Sequence, residues 1–154
     1  MSTATMPLRR TPSQPSAVSA ASDFERIMTG IFMLAGQPPG KARHRQACRL
    51  RFNNTVDLNL FPDPAGNLVV VGASRSIDSS IEINHLLGLM QLNSHFHSPH
   101  HVAVGYLEQS RTIQVWSKFP MQRMKEKDVM RMLKTMANAI IHINAILQGE
   151  DHQG

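Results

Sequence analysis

CRLRFNNTVDLNLFPDPAGNLVVV, residues 48–71, is the stretch that decides the fold. Its apolar residues recur at every second position: Cys48, Leu50 and Phe52 alternate with Arg49 and Arg51, then Val56, Leu58 and Leu60 alternate with Asp57 and Asn59. Successive side chains of a strand point to opposite faces, so a period of two predicts strands with one buried face. Asn53-Asn54 between the first two runs suits a tight hairpin turn. Phe61 to Gly66, with two prolines and a glycine, supplies a second turn, and Leu68-Val69-Val70-Val71 is an apolar run suited to a central strand. Three strands in an antiparallel meander follow.

Upstream the period is helical. Ser22-Asp23-Phe24-Glu25 has the spacing of a capping box, in which the Ser side chain accepts from the Glu backbone N–H and the Glu side chain reaches back. Phe24, Ile27, Met28, Ile31 and Leu34 then share one helix face, and Gly36 followed by Pro38-Pro39 should end that helix. Downstream, Ser79-Ser80-Ile81-Glu82 repeats the capping pattern and opens a short second helix, with Ile83, Leu86, Leu87 and Met90 on one face and a close near Asn93. Gly88 in its middle costs about 1 kcal/mol against alanine, which is reasonable where another backbone packs close. Strands over residues 101–108 and 112–118 flank a turn at Gln109-Ser110-Arg111, and Pro120 breaks the chain. Val129, Leu133, Met136, Ile140, Ile143 and Leu147 recur at steps of four and three, with Gly149 just beyond, predicting a long amphipathic last helix. The order α-β-β-β-α-β-β-α, with strands grouped together, predicts an α+β domain built on an antiparallel twisted sheet.

With 154 residues, one core of ordinary size is possible and a second is not. Residues 1–21, almost entirely Ser, Thr, Ala, Pro and Gln with two arginines, are expected to be a disordered tail, residues 22–149 the single domain, and 150–154 a flexible end. Cys48 is the one cysteine, which excludes an intramolecular disulfide and favours a reducing compartment, hence a cytoplasmic location. No apolar run reaches the ~18 residues a membrane span needs, and the start of the chain lacks the apolar core of a secretory signal. The net charge of +5 is unevenly placed: residues 1–51 hold eight Lys/Arg against two carboxylates, net +6, and the remainder eight against nine, net −1. The excess sits in Arg9, Arg10 and the cluster Lys41, Arg43, His44, Arg45, Arg49, Arg51, read as a solvated loop running into a charged sheet edge.

Motifs for nucleotide binding or acyl transfer are absent, there being no glycine-rich phosphate loop and no G-x-S-x-G elbow. Cys48 alternates into an apolar strand face and reads as a small core residue. Asp57, Asp63 and Asp78 fall on a solvent-facing strand position, a turn and a loop, so no catalytic carboxylate pair forms. His95, His97, His100 and His101 crowd one segment, but no carboxylate or thiolate joins them, and no metal or other cofactor is expected. Ten methionines, among them Met28, Met33, Met121, Met124, Met130, Met132 and Met136, suit core filling or an adaptable apolar surface; Met130 falls off the last helix's buried stripe.

Leu86-Leu87-Gly88-Leu89-Met90-Gln91-Leu92-Asn93, then a hairpin whose second strand reads Ile113-Gln114-Val115-Trp116-Ser117-Lys118-Phe119-Pro120, then a long helix, resembles the class I chaperones of type III secretion. In that family a helix ending "LL..LN", a strand ending "W..LP" and an amphipathic terminal helix recur in this order. The resemblance covers residues 22–147 and implies a bacterial, cytoplasmic, non-enzymatic homodimer. It further implies that such a chaperone holds the N-terminal segment of a secreted effector extended and passes it to the secretion ATPase.

Such a role needs apolar surface beside an unpaired strand edge, where an extended peptide adds by backbone hydrogen bonds. The last helix has its own core stripe and the second helix, through Ile83, Leu86, Leu87, Gly88 and Met90, is assigned to the dimer interface. Phe24, Ile27, Ile31, Leu50, Phe52, Leu58 and Leu60 are then the expected effector contacts, although alternation alone does not say which face is core. The competing expectation is a nucleic-acid-associated regulator using residues 41–51 against phosphates, for which no helix-turn-helix and no aromatic stacking set is present.

Overall fold

The computed structural model describes residues 17–38, 47–77 and 102–150. Within them the period-two runs become strands β1 (Cys48–Phe52), β2 (Val56–Pro62) and β3 (Asn67–Ala73). Asn53 and Asn54 sit at positive φ, 50° and 57°, a region Asn enters more readily than most side-chain-bearing residues. Thr55 N–H donates to the Phe52 carbonyl oxygen (3.1 Å) and closes the hairpin. The β2–β3 turn requires Gly66, at φ 83°, and is organised by Asp63, whose Oδ1 accepts from the backbone N–H groups of Ala65 and Asn67, each at 2.9 Å. Lys118 Nζ lies 2.8 Å from Asp63 Oδ2. Burial alone would raise the Asp63 pKa, but hydrogen bonds from Lys118 and from the backbone and side chain of Asn67 outweigh it and hold the value at about 2.

Strands β4 (Val102–Leu107) and β5 (Thr112–Pro120) form the second hairpin. The meander and this hairpin join into one sheet, because β5 pairs antiparallel with β3 from Asn67↔Pro120 to Ala73↔Gln114. A central strand as apolar as β3 cannot leave one row of its backbone N–H and C=O groups without partners. The result, among the described residues, is one antiparallel sheet of order β1-β2-β3-β5-β4, with β1 and β4 at its edges.

Two helices, α1 (Ala17–Leu34) and α2 (Glu126–Glu150), cover one face of this sheet. Helix α1 begins five residues before the predicted cap at Ser22. Ala is the best helix former, and Ala20 adds a buried turn to the stripe of Phe24, Ile27, Met28 and Ile31, which together outweigh the weak local preference for a start at Ser22. The other end follows the sequence: Gly36 at φ 69° lets its N–H donate to Met33 O (3.1 Å) while Gln37 N–H donates to Phe32 O (2.8 Å), the paired bonds of a Schellman cap. All six predicted stripe residues of α2 are buried, and the helix runs one residue past Gly149. A Cβ at Gly72 would overlap Ile140 Cδ1 and Leu58 Cδ2, so α2 crosses the sheet closely there. Arg26 fastens α1 to the chain entering α2, donating from Nη1 to Glu126 Oε1 (2.7 Å) and from Nη2 to Met121 O (3.1 Å). The helix predicted near residues 79–93, with the dimer residues Ile83, Leu86, Leu87, Gly88 and Met90, and the His95–His101 cluster lie outside the described residues.

Candidate binding groove

Edge strand β1 divides its side chains as the alternation requires. On the outer face Arg51 lies opposite Asp57 in register and grips it with Nε to Oδ1 at 2.7 Å and Nη2 to Oδ2 at 2.9 Å. That hydrogen bond and the attached charge hold Asp57 below the usual carboxylate range and raise Arg51. Arg49, opposite Asn59, donates from Nε to its Oδ1 at 3.3 Å. Cys48 is buried on the inner face, as expected of a small core residue.

Leu50 and Phe52 share that inner face but are only partly buried. Among the described residues, helices α1 and α2 pack over the middle of the sheet and leave the inner side of its β1 edge half-roofed. The gap is an open groove of about 660 Å³ between the C-terminal end of α1, strand β1 and the first turns of α2. Ile31, Phe32, Leu50, Phe52 and Met130 make an apolar floor, and Leu34 and Ala35 form a lip at the end of α1. Lys127 and Lys134 stand on the α2 side; Arg49 and Arg51 stand on the strand side. The backbone groups of β1 that point away from β2 border this groove, a ready place for an extended chain to pair.

Of the seven residues expected to contact an effector, the structure brings Leu50 and Phe52 to the groove, with Ile31, 1% exposed, beneath them. Phe24, Ile27, Leu58 and Leu60 are at most 2% exposed and pack in the common core, so they support the surface without presenting it. Phe32, Leu34, Met130, Lys127 and Lys134 complete the groove and were not among the expected contacts. Met130, off the buried stripe, carried the one sequence signal for this wall; Phe32 carried none, being one step away from the stripe residue Ile31. Four of the methionines, Met28, Met121, Met132 and Met136, fill the core, while Met33 is exposed.

No group of three or more His, Cys, Asp or Glu capable of holding a metal occurs among the described residues. No helix among them is long and apolar enough to cross a membrane.

Neither a family model nor a curated protein matches the sequence. Solved structures match the fold. A chain of the HopA1–SchA chaperone–effector complex superposes with a TM-score of 0.68 at 15% identity, over 85% of this chain and 99% of that one. The Yersinia pestis type III secretion chaperone SycH, solved in complex with a stable fragment of YscM2, gives 0.61 at 11% identity, over 77% and 98%. The fold is that of the class I type III secretion chaperones. The heterodimeric ExoU–SpcU complex of the Pseudomonas aeruginosa type III secretion system matches as well, with a TM-score of 0.61 at 16% identity over 80% of this chain and 98% of that one. Identities this low carry the chaperone architecture and not a set of shared contact residues, so the contacts must be argued from this chain's own groove.

Proposed function

We propose that this chain is a non-enzymatic chaperone that binds an extended segment of a secreted effector protein along the β1 edge. The observation that carries the reading is the apolar groove lying beside β1, an edge strand of the sheet among the described residues, in a fold shared with chaperone–effector complexes. An added strand would bond to the outward backbone groups of β1 and direct alternate side chains onto Leu50, Phe52, Phe32 and Met130. The five residues of β1 span about 17 Å, room for two or three inward side chains. Burying three apolar side chains contributes about 5–9 kcal/mol, against an ordering cost of about 2–5 kcal/mol for a disordered segment. One groove therefore holds an effector weakly, and tight capture needs a longer segment that also engages a second copy of the chain.

Self-association through the segment containing Ile83, Leu86, Leu87, Gly88 and Met90 belongs to the same proposal, as do binding of the effector's N-terminal region, handover to the secretion ATPase and action in the bacterial cytoplasm. These rest on the likeness to the chaperone fold and on the apolar sequence of that segment. Phosphate binding by the basic stretch is disfavoured, because Arg51 is matched by Asp57 and Arg49 is tied to Asn59.

The test is co-expression of the full chain with N-terminal segments of proteins secreted by its own bacterium, followed by mass measurement of the purified complex. A stoichiometric complex is expected with the wild type and none with Leu50→Asp or Phe52→Asp, both retaining native circular dichroism. Undiminished capture by both variants would remove the groove from the reading.

A further inference from the structure

The groove carries a charge pattern as well as an apolar floor. Among its described lining residues four are basic and none is acidic. Arg51 is compensated by Asp57, and Arg49 meets a neutral amide. Lys127 and Lys134 are exposed and have no ion-pair partner among the described residues. They stand seven residues apart on α2 with Met130 between them, a rise of about 10 Å at 1.5 Å per residue. An extended segment advances about 3.3 Å per residue. Carboxylates two or four positions apart, which share one side of such a segment, therefore come within reach of both lysines while the intervening side chains point into the groove. The opposite wall repeats the arrangement in strand form, with Arg49 beside Leu50.

We propose that the groove selects extended segments in which apolar residues alternate with Asp or Glu, so that the effector region it takes is acidic as well as apolar. The inference rests on the groove being the effector site. It goes further, because apolar pockets and a strand edge alone would accept any alternating segment, whatever its charge. Of the chain's own segments outside the described residues, 78–101, with Asp78 and Glu82, joins Ile77, bonded to Arg111 O, to Val102 of the opposite edge strand β4, and Asp151 follows the end of α2 remote from the groove. Residues 1–16 and 39–46 contain no carboxylate and add five Lys/Arg, the wrong sign for a groove with uncompensated lysines. Charge complementarity thus points to a separate acidic polypeptide. The exposed walls make the contribution one of selection and encounter rate more than of raw affinity.

Three labelled twelve-residue peptides, sharing one set of alternating Leu and Val residues and carrying Asp/Glu, Gln/Ser or Lys/Arg between them, separate the possibilities by fluorescence anisotropy with the full chain. At 50 mM salt the acidic peptide is expected to bind roughly tenfold tighter than the neutral one, from about three exposed charge contacts of ordinary strength. At 500 mM salt, where screening acts within about 4 Å, that advantage should fall below about twofold. Lys127→Gln with Lys134→Gln should weaken the acidic peptide several-fold and leave the neutral one unchanged; both substitutions are on exposed positions and should preserve the melting curve. Equal binding of the acidic and neutral peptides, abolished for both by Phe52→Gln, would overturn the charge selection while the groove itself stood. Absence of binding by all three would overturn the groove and the selection together. Preference for the Lys/Arg peptide would reverse the assigned sign, and a single-stranded oligonucleotide that displaced the acidic peptide through the same two lysines would replace the polypeptide partner with nucleic acid.

Discussion

Ile27 and Leu50 were expected to serve the same surface, and the structure gives them opposite duties. Ile27 is 0% exposed, within the face of α1 that meets the sheet, whereas Leu50 is half-buried at the groove. Truncating a fully buried Ile to Ala loses its transfer free energy and leaves a cavity, together about 2–5 kcal/mol. Truncating Leu50 removes only the part of the side chain that is covered, about 1 kcal/mol. With a urea m-value of about 2 kcal/mol/M for a domain of this size, Ile27→Ala should lower the unfolding midpoint by about 1–2.5 M and Leu50→Ala by about 0.5 M, at one fixed chain concentration. An aspartate sharpens the contrast. At position 27 it buries an unpaired carboxylate at a cost of several kcal/mol, comparable with a total stability of about 5–15 kcal/mol, and the chain should lose its cooperative melt. At position 50 the carboxylate can turn to solvent, and the melt should survive. Equal midpoint shifts for the two alanine variants, or a native and cooperative Ile27→Asp, would refute the division between core and groove.

Gly72→Ala should destabilise by about 1–3 kcal/mol in the same assay, because the added Cβ must displace Ile140 and Leu58 within a packed core; a loss below about 0.5 kcal/mol would mean that α2 does not cross the sheet closely at that point. The Asp63 carboxyl, at about 2 in the folded chain against 3.8 when unperturbed, contributes stability that is complete above the unfolded value and is lost as pH falls through the folded one. With its partner Lys118 half-exposed and screened, the contribution is about 1 kcal/mol, so the wild type should exceed Asp63→Asn by that amount at pH 7 and converge with it toward pH 2; a gap constant across that range would contradict the assignment.

The local structure was readable because its signals are local. Asn53-Asn54 fixes one hairpin and Gly36 the helix end through backbone conformations that few other residues accept. The stripe from Val129 to Leu147 fixes α2 through a single period. What the sequence left open depends on partners far along the chain. Alternation marks Leu50 and Leu58 identically, and they differ in burial only because β1 lies at an edge while β2 is roofed by both helices. That edge could not be assigned before the pairing of β3 with β5 was known. Lys127 and Lys134 take their place at the groove only once β1 is set opposite them, and Ala17 to Ala21 read as tail until Ala20 is seen to pack in the core. The competing nucleic-acid expectation drew on residues 41–51; Lys41, Arg43 and Arg45 lie outside the described residues, and the cross-strand partners of Arg49 and Arg51, Asn59 and Asp57, are visible only in the register of β1 against β2.

The central claim is that an effector segment lies along β1, and hydrogen exchange of the full chain, alone and in its purified effector complex, tests it directly. The expected result is slowed exchange concentrated in residues 48–52, with lesser protection at the end of α1 over 31–37 and at the start of α2 over 127–134. Protection confined to the opposite edge, residues 102–107, with β1 exchanging as fast as in the unbound chain, would contradict it.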